Sequence, residues 1–257
     1  MVCGGESYDS LVYGLHDSAD PDHPGNLIYE EKGGFGFFVW GYLDSHFGTR
    51  GRQGRMIRMV WELMNKKVNS IPMIFGIDEN TALKVEEDKG MVIGETGVFI
   101  INVSKAQNST NYGLFQLQNV KISYLTEGDM INLNTYEVTY AEWKKNIKGI
   151  EEHDYALHTS YDIFSSPNNY DKENNTRINP REFIRITTDL INSALSQNTE
   201  AYTYETNPQF KLSFTKMADS VGFVGQMNGK KFISYNNLNL DIVADNPKND
   251  PTEKLLK

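Results

Sequence analysis

The feature that most constrains the fold is a pair of apolar runs separated by one amphipathic segment. Residues 37–43 and 73–77 are apolar and of strand length, which predicts two buried strands. From residue 51 to 65 apolar positions recur at helical spacing, which predicts a helix over roughly residues 52–65. Two strands joined by one such helix form a right-handed crossover, so both strands should lie parallel in one sheet.

Polar residues follow both predicted strands at the ends where active groups gather in parallel sheets. His46 comes just after the first strand, and Asp78 and Glu79 follow the second. One of these carboxylates could accept a hydrogen bond from the imidazole Nδ1 and fix its tautomer. We expect Glu79 to do so rather than Asp44, because Asp44 lies too close along the same strand to reach around the ring.

Three arginines occupy the glycine-bearing segment after His46: Arg50, Arg52 and Arg55. Guanidinium groups need carboxylate partners or solvent, so this segment is not ordinary core. The arginines could bind a substrate carboxylate, or they could pair with protein acids such as Asp44 and Glu79. The residues alone leave both alternatives open.

Ser7 lies between a strand-like opening and a segment with helical character at residues 10–13. A sharp strand-to-helix turn can present a serine hydroxyl as a nucleophile, although such turns usually have glycine two positions later, where this chain has Asp9. The alternative is a plain turn or N-cap serine.

The rest of the chain changes character after residue 83. Short β-like runs separated by turns at residues 88–90 and 95–97 predict antiparallel hairpins. Residues 144–179 are polar and predict a linker or long loop, followed by a helix over 183–195 and strands at 210–214 and 231–235. We therefore expect a separate C-terminal extension from about residue 141.

Composition narrows the classes of partner. The net charge is −9, from 34 acidic and 25 basic residues, which argues against a nucleic-acid surface. The single cysteine, Cys3, excludes an intrachain disulfide and a cysteine-rich zinc site. No apolar run approaches the ~20 residues that span a bilayer. We expect no cofactor, metal or membrane partner, and a cytoplasmic location by default, with secretion left open.

Two signatures give a resemblance to a known family. Residues 44–55 match D-x-H-F-x-x-R-x-R-x-x-R, and residues 76–82 match G-I-D-E-x-T-A. In these and in residues 91–94 and 125–129, the chain resembles the cyanophycinase and peptidase E family of serine peptidases. The resemblance implies a flavodoxin-like α/β fold, with a parallel sheet related to class I glutamine amidotransferases, and a catalytic triad at Ser7, His46 and Glu79.

The resemblance also implies a substrate and its contacts. Family members are exopeptidases that hydrolyse cyanophycin, a poly-aspartate carrying arginine on its side chains, or other β-aspartyl and isopeptide bonds. The residues implied to bind substrate are Asp44, Ser45, Arg50 and Arg55. The expected partner is thus a peptide, and a homodimer is left open.

Departures from the family pattern leave alternatives. The family's serine motif is close to G-T-S-A-G-A, and residues 5–10 keep only the glycine and the serine. Family members carry further sheet and a glycine-rich loop before this serine, so residues 1–140 are expected to be the C-terminal part of such a catalytic domain and 141–257 an extension. One alternative is an inactive module that keeps the fold for binding. Another is a glutamine amidotransferase, but Cys3 precedes the turn that would carry its nucleophile.

Overall fold

The computed structural model describes residues 4–16, 25, 27–29, 34–68, 70–109, 113–166, 170–171, 176–177 and 181–244. These residues form a mixed α/β fold dominated by sheet. The helices are α1 (Ser7–Tyr13), α2 (Gln53–Asn65) and α3 (Glu182–Ile191). The strands are β1 (Leu15–His16), β2 (Leu27–Ile28), β3 (Tyr42–Ser45), β4 (Met73–Ile77), β5 (Thr81–Glu86), β6 (Lys89–Gly94), β7 (Gly97–Asn102), β8 (Gln107–Asn108), β9 (Leu117–Thr126), β10 (Met130–Asn132), β11 (Val138–Thr139), β12 (Lys145–Asn146), β13 (Tyr170–Asp171), β14 (Thr176–Arg177), β15 (Asn198–Tyr202), β16 (Phe210–Thr215), β17 (Val221–Met227) and β18 (Lys230–Ala244). None of the described helices is long and apolar enough to cross a membrane.

The predicted crossover is confirmed. Strands β3 and β4 pair in parallel from Tyr42↔Ile74 to Ser45↔Ile77, and α2 connects them. Strand β3 begins at Tyr42, five residues after the start of the apolar run at residue 37, and residues 37–41 lie outside any strand. Of that run, Phe38 packs its ring on Phe75 at a centroid distance of 5.0 Å. Phe38 and Trp40 pack against the core of the small sheet, whereas Phe37 and Val39 are exposed, so the prediction of a buried strand over residues 37–41 is wrong.

The large sheet is mixed, and the expectation of a mainly parallel sheet is wrong. Beyond β4 the order runs through β7, β9, β18, β17 and β12, and every one of these pairings is antiparallel. Strands β15 and β16 join at β18, and β8 joins at β9. The β5–β6 hairpin, rather than a helix, connects β4 to β7. Parallel neighbours need a long crossover connection, so β4 and β7 pair in the antiparallel direction.

A smaller sheet of order β11-β10-β6-β5 covers one face of the large sheet. Its β5–β6 hairpin is confirmed, but the predicted hairpin between β6 and β7 is wrong, because β7 pairs with β4 and β9. Five of the six residues of β7 are buried, as a central strand requires. The chain changes sheets at Gly94, where φ is +137° and a Cβ would lie 2.2 Å from the Asn80 carbonyl oxygen.

Each face of the large sheet has its own core. Ile74 of β4 packs with the helices, whereas its neighbours Met73 and Phe75 pack with the small sheet. This is the alternation that a strand buried on both faces imposes. The sheet is therefore a central layer between helices and a second sheet.

The residues after 141 continue this same sheet and core. Strand β18 pairs with β9 along its length, and Phe183 of α3 packs edge-on to Phe99 of β7 at 5.6 Å. The described part of 144–179 contains only two-residue strands, in line with the predicted long loop. The boundary expected at residue 140 does not coincide with a break in the sheet.

A buried ion pair joins the two parts of the chain. Lys144 Nζ lies 2.7 Å from Asp129 Oδ1, and neither side chain is exposed to solvent. The ammonium also donates to Thr126 Oγ1 at 2.8 Å and to Ser234 Oγ at 3.0 Å. All three of its protons are therefore placed on acceptors from β9, β18 and the turn between β9 and β10.

We expect Lys144→Met to lower the free energy of unfolding by about 3–5 kcal/mol, because it leaves the Asp129 carboxylate buried without its cation. The double variant Lys144→Met/Asp129→Leu should recover most of that loss, since it removes both charges. Urea unfolding at neutral pH measures both values. Lys145→Met, at an exposed neighbouring position, is the control and should change stability by less than about 0.5 kcal/mol. A Lys144→Met protein as stable as this control would contradict the assignment.

Candidate functional site

A close contact between an aromatic ring and a glycine brings the ends of β3 and β4 together. The ring of Phe47, which follows β3, lies so near Gly76 of β4 that a Cβ there would be 2.2 Å from its Cδ1. The Phe47 N–H also donates to the Ile77 carbonyl at 3.2 Å. Only glycine leaves room for this ring, which fixes the turn after β3 against the carboxyl end of β4.

His46 and Glu79 meet at this junction. His46 Nδ1 lies 2.8 Å from Glu79 Oε1, and the two side chains are 45% and 36% exposed. The contact predicted for Glu79 rather than Asp44 is therefore present. The backbone of His46 is left-handed, with φ of 49°, which turns the chain directly out of β3.

Electrostatics define the state of this pair. The hydrogen bond from His46 is the largest influence that lowers the pKa of Glu79, and the charge of Arg181 lowers it further. An ionised carboxylate at Glu79 favours the tautomer in which Nδ1 carries the proton, and that tautomer has its lone pair on Nε2. The contact is thus suited to orienting an exposed imidazole.

Arg52 and Arg55 pair with a carboxylate of the protein itself. Of the two alternatives that the sequence left open, protein pairing or substrate binding, the first therefore holds for these two arginines. Arg52 Nη1 donates to Asp44 Oδ1 at 2.9 Å, and Arg55 Nη2 donates to Asp44 Oδ2 at 2.6 Å. The Arg55 side chain is only 5% exposed. Arg50 and Ser45 are exposed. Of the four residues implied to bind substrate, Asp44 and Arg55 are engaged with each other.

Ser7 is close to this network but is not bonded to His46. It is the first residue of α1 and is buried, and its Oγ donates to the Gly51 carbonyl at 2.5 Å and accepts from the Arg55 N–H at 3.2 Å. Its φ is not positive, so the strained turn of a nucleophile elbow is not formed. The cap of α1 is Glu6, so Ser7 is not an N-cap serine either.

Ser7 lines a small cavity of about 80 Å³. The cavity is lined by Gly5, Glu6, Arg50, Arg52, Arg55 and Ser166 as well as Ser7. The structure thus brings His46 and Glu79 together, whereas Ser7 lies in a separate recess that neither of them lines.

Arg181 is a site residue that sequence reasoning missed. Its Nε donates to Thr49 Oγ1 at 3.0 Å and lies 3.7 Å from Asp78 Oδ2, and its Nη2 lies 3.8 Å from Glu79 Oε2. Two adjacent carboxylates at a strand end need a cation, and this was the only available signal. The contact with Thr49 spans 132 residues, so no local pattern could identify the partner.

The arrangement suits proton transfer by an oriented imidazole. Among the residues that the structure describes, no group of three or more His, Cys, Asp and Glu side chains is placed to hold a metal ion. No protein-family model matches the chain.

We expect Arg181→Met to raise the pKa of Glu79, because it removes a positive charge that favours the ionised carboxylate. Carbon-detected NMR of the Glu79 carboxyl as a function of pH measures this directly. Arg185→Met is the matched control, since Arg185 pairs with Glu182 and Asp189 one turn further along α3. Equal Glu79 titration curves for Arg181→Met and the wild type would show that the guanidinium does not act on this carboxylate.

Proposed function

We propose that this chain is a cyanophycinase-like serine-type hydrolase that cleaves β-aspartyl or related isopeptide bonds. The observation that carries the proposal is the 2.8 Å contact between His46 Nδ1 and Glu79 Oε1 at the ends of two parallel strands. In this role His46 is the general base, Glu79 orients it, and Ser7 is the nucleophile.

The proposed chemistry is acyl transfer through an ester on Ser7. His46 Nε2 takes the hydroxyl proton as Oγ attacks the scissile carbonyl carbon, and then gives that proton to the leaving amine. Water, deprotonated by the same imidazole, hydrolyses the ester and restores the serine. Glu79 stays ionised and stabilises the imidazolium that forms in each half of the reaction.

This mechanism requires a movement of the Ser7 hydroxyl. In the unliganded arrangement Oγ donates to the Gly51 carbonyl, so it must exchange that bond for one to His46. Catalytic hydrogen bonds are often formed only once substrate is bound. The Arg55 N–H donates to the Ser7 hydroxyl itself at 3.2 Å, and the Arg55 guanidinium holds the chain two residues before it through a 3.0 Å bond to the Gly5 carbonyl.

The structure divides the proposed substrate residues into two groups. Arg50 and Ser45 are exposed and are assigned to contact substrate. Asp44 and Arg55 are assigned to position the serine segment, since Asp44 accepts from Arg55 while Arg55 binds the Gly5 carbonyl. The β3–α2–β4 unit supports a flavodoxin-like ancestry for this half of the sheet, which remains part of the proposal.

A second candidate is a non-catalytic module that binds cyanophycin or a similar peptide. It is favoured by the burial of Ser7 and by the bond from its hydroxyl to Gly51. The two candidates differ in turnover, because both predict binding of the polymer and only the first predicts hydrolysis.

We expect Ser7→Ala and His46→Ala each to remove nearly all hydrolysis of cyanophycin, and the double variant to be about as slow as either one. Triad members act as a unit, so their effects do not add, and only the ~10³–10⁴-fold acceleration due to binding and oxyanion contacts should remain. Glu79→Gln should lose orders of magnitude but less than Ser7→Ala, because it keeps the shape while weakening control of the tautomer. Release of dipeptides from cyanophycin measures all four variants.

The control is His153→Ala, which removes a histidine that also lies near a carboxylate, 3.5 Å from Asp189, and should keep wild-type activity. Wild-type turnover by the Ser7→Ala protein would show that Ser7 is a structural residue. Binding of cyanophycin without turnover by the unaltered chain would establish the non-catalytic module instead.

A further inference from the structure

A second pocket, of about 260 Å³, is lined by two residues that contact Glu79. Arg181 lines it and also contacts the Glu79 carboxylate at 3.8 Å. Thr96 lines it too, and its Oγ1 donates to the Glu79 carbonyl at 2.7 Å. A molecule in this pocket therefore sits one residue away from the His46–Glu79 pair.

The charge of the pocket is opposite to that of the protein. Three basic side chains line it, Arg181, Lys230 and Lys231, against one carboxylate, Glu95. The chain as a whole carries a net charge of −9, so composition does not account for this concentration of cations. A concave site with one sign of charge raises the local concentration of oppositely charged ligands.

The lysines are only partly neutralised. Lys230 Nζ lies 3.9 Å from Glu95 Oε2, and both side chains are about half exposed or more, so solvent weakens this pair. Lys231 pairs with Glu152, which does not line the pocket. Both ammonium groups can therefore turn toward a bound anion at little cost.

The remaining walls are mainly apolar. They include Phe232, Ile184 and Ile233, and the Lys230 ammonium lies 5.8 Å from the centre of the Phe232 ring. Such walls suit a short hydrocarbon stem with an anionic end. An aspartyl or glutamyl side chain has this form.

We propose that this pocket is a subsite that binds an acidic side chain of a peptide substrate through Lys230 and Lys231, while Arg181 stays paired with Asp78 and Glu79 at its inner end. That the bound peptide is a substrate rests on the proposed function, but its binding in this pocket does not depend on turnover. It also accounts for carboxylate recognition that Arg52 and Arg55 cannot supply, because Asp44 already occupies them. The three basic residues of the pocket come from the part of the chain beyond the sequence resemblance, from β18 and the N-cap of α3, whereas Glu95, Thr96, Tyr124 and Thr126 come from within it.

The test measures the equilibrium binding of N-acetyl-tetra-aspartate amide by isothermal titration calorimetry at low salt. Lys230→Gln/Lys231→Gln should weaken binding about tenfold, since two partly exposed charge contacts are lost. Lys84→Gln/Lys105→Gln is the matched control, because it changes net charge equally at exposed positions that do not line the pocket. It should leave the affinity within about twofold of the wild type.

Three binding results would overturn the subsite: no binding of the aspartate peptide by the wild-type chain, equal losses in the two double-lysine variants, or equal affinity for the tetra-asparagine analogue.

The Ser7→Ala protein should bind the peptide as the wild type does. If the unaltered chain binds the peptide but hydrolyses no cyanophycin, the proposed catalysis is refuted and the subsite stands. If Lys230→Gln/Lys231→Gln hydrolyses cyanophycin with unchanged KM, the subsite is refuted and the catalysis stands.

Discussion

The contact of Phe47 with Gly76 is the constraint on which the site depends. It holds the turn after β3 against the end of β4, where a larger residue in place of Gly76 would push the ring away. His46 precedes this ring, while Asp78 and Glu79 follow the glycine by two and three residues. Backbone packing thus places the two residues side by side, and their exposed side chains meet at 2.8 Å.

A second layer of charge pairing ties α1 to this junction. Asp44 at β3 accepts from Arg52 and Arg55, and Arg55 in turn binds the carbonyl of Gly5 and, through its N–H, the hydroxyl of Ser7. The arginines therefore fix the position of the serine segment relative to the imidazole. In the proposed hydrolase this network sets the starting geometry, in which the Ser7 hydroxyl is bonded to the Gly51 carbonyl and must leave it to reach His46.

The C-terminal part of the chain completes the site from the other side. Arg181 supplies the cation beside Asp78 and Glu79, and β18 supplies the lysines of the neighbouring pocket. The buried Lys144–Asp129 pair joins this part to the turn after β9, and β18 pairs directly with β9, so both parts of the chain belong to one sheet.

Sequence determined the elements whose signals are local. The spacing of apolar residues identified β3, α2 and β4 and their parallel arrangement, and the position of Glu79 at a strand end predicted its contact with His46. The tertiary structure decided the features that depend on distant partners. These are the antiparallel pairing of β7, the ion pair of Arg55 with Asp44, the hydrogen bond from the Ser7 hydroxyl to the Gly51 carbonyl, and the position of Arg181 beside Asp78 and Glu79. Periodicity reports which face of an element is buried, but not which strand lies next to it. A charge in the sequence shows that a partner is needed, and only the folded chain selects among the many carboxylates that could provide it.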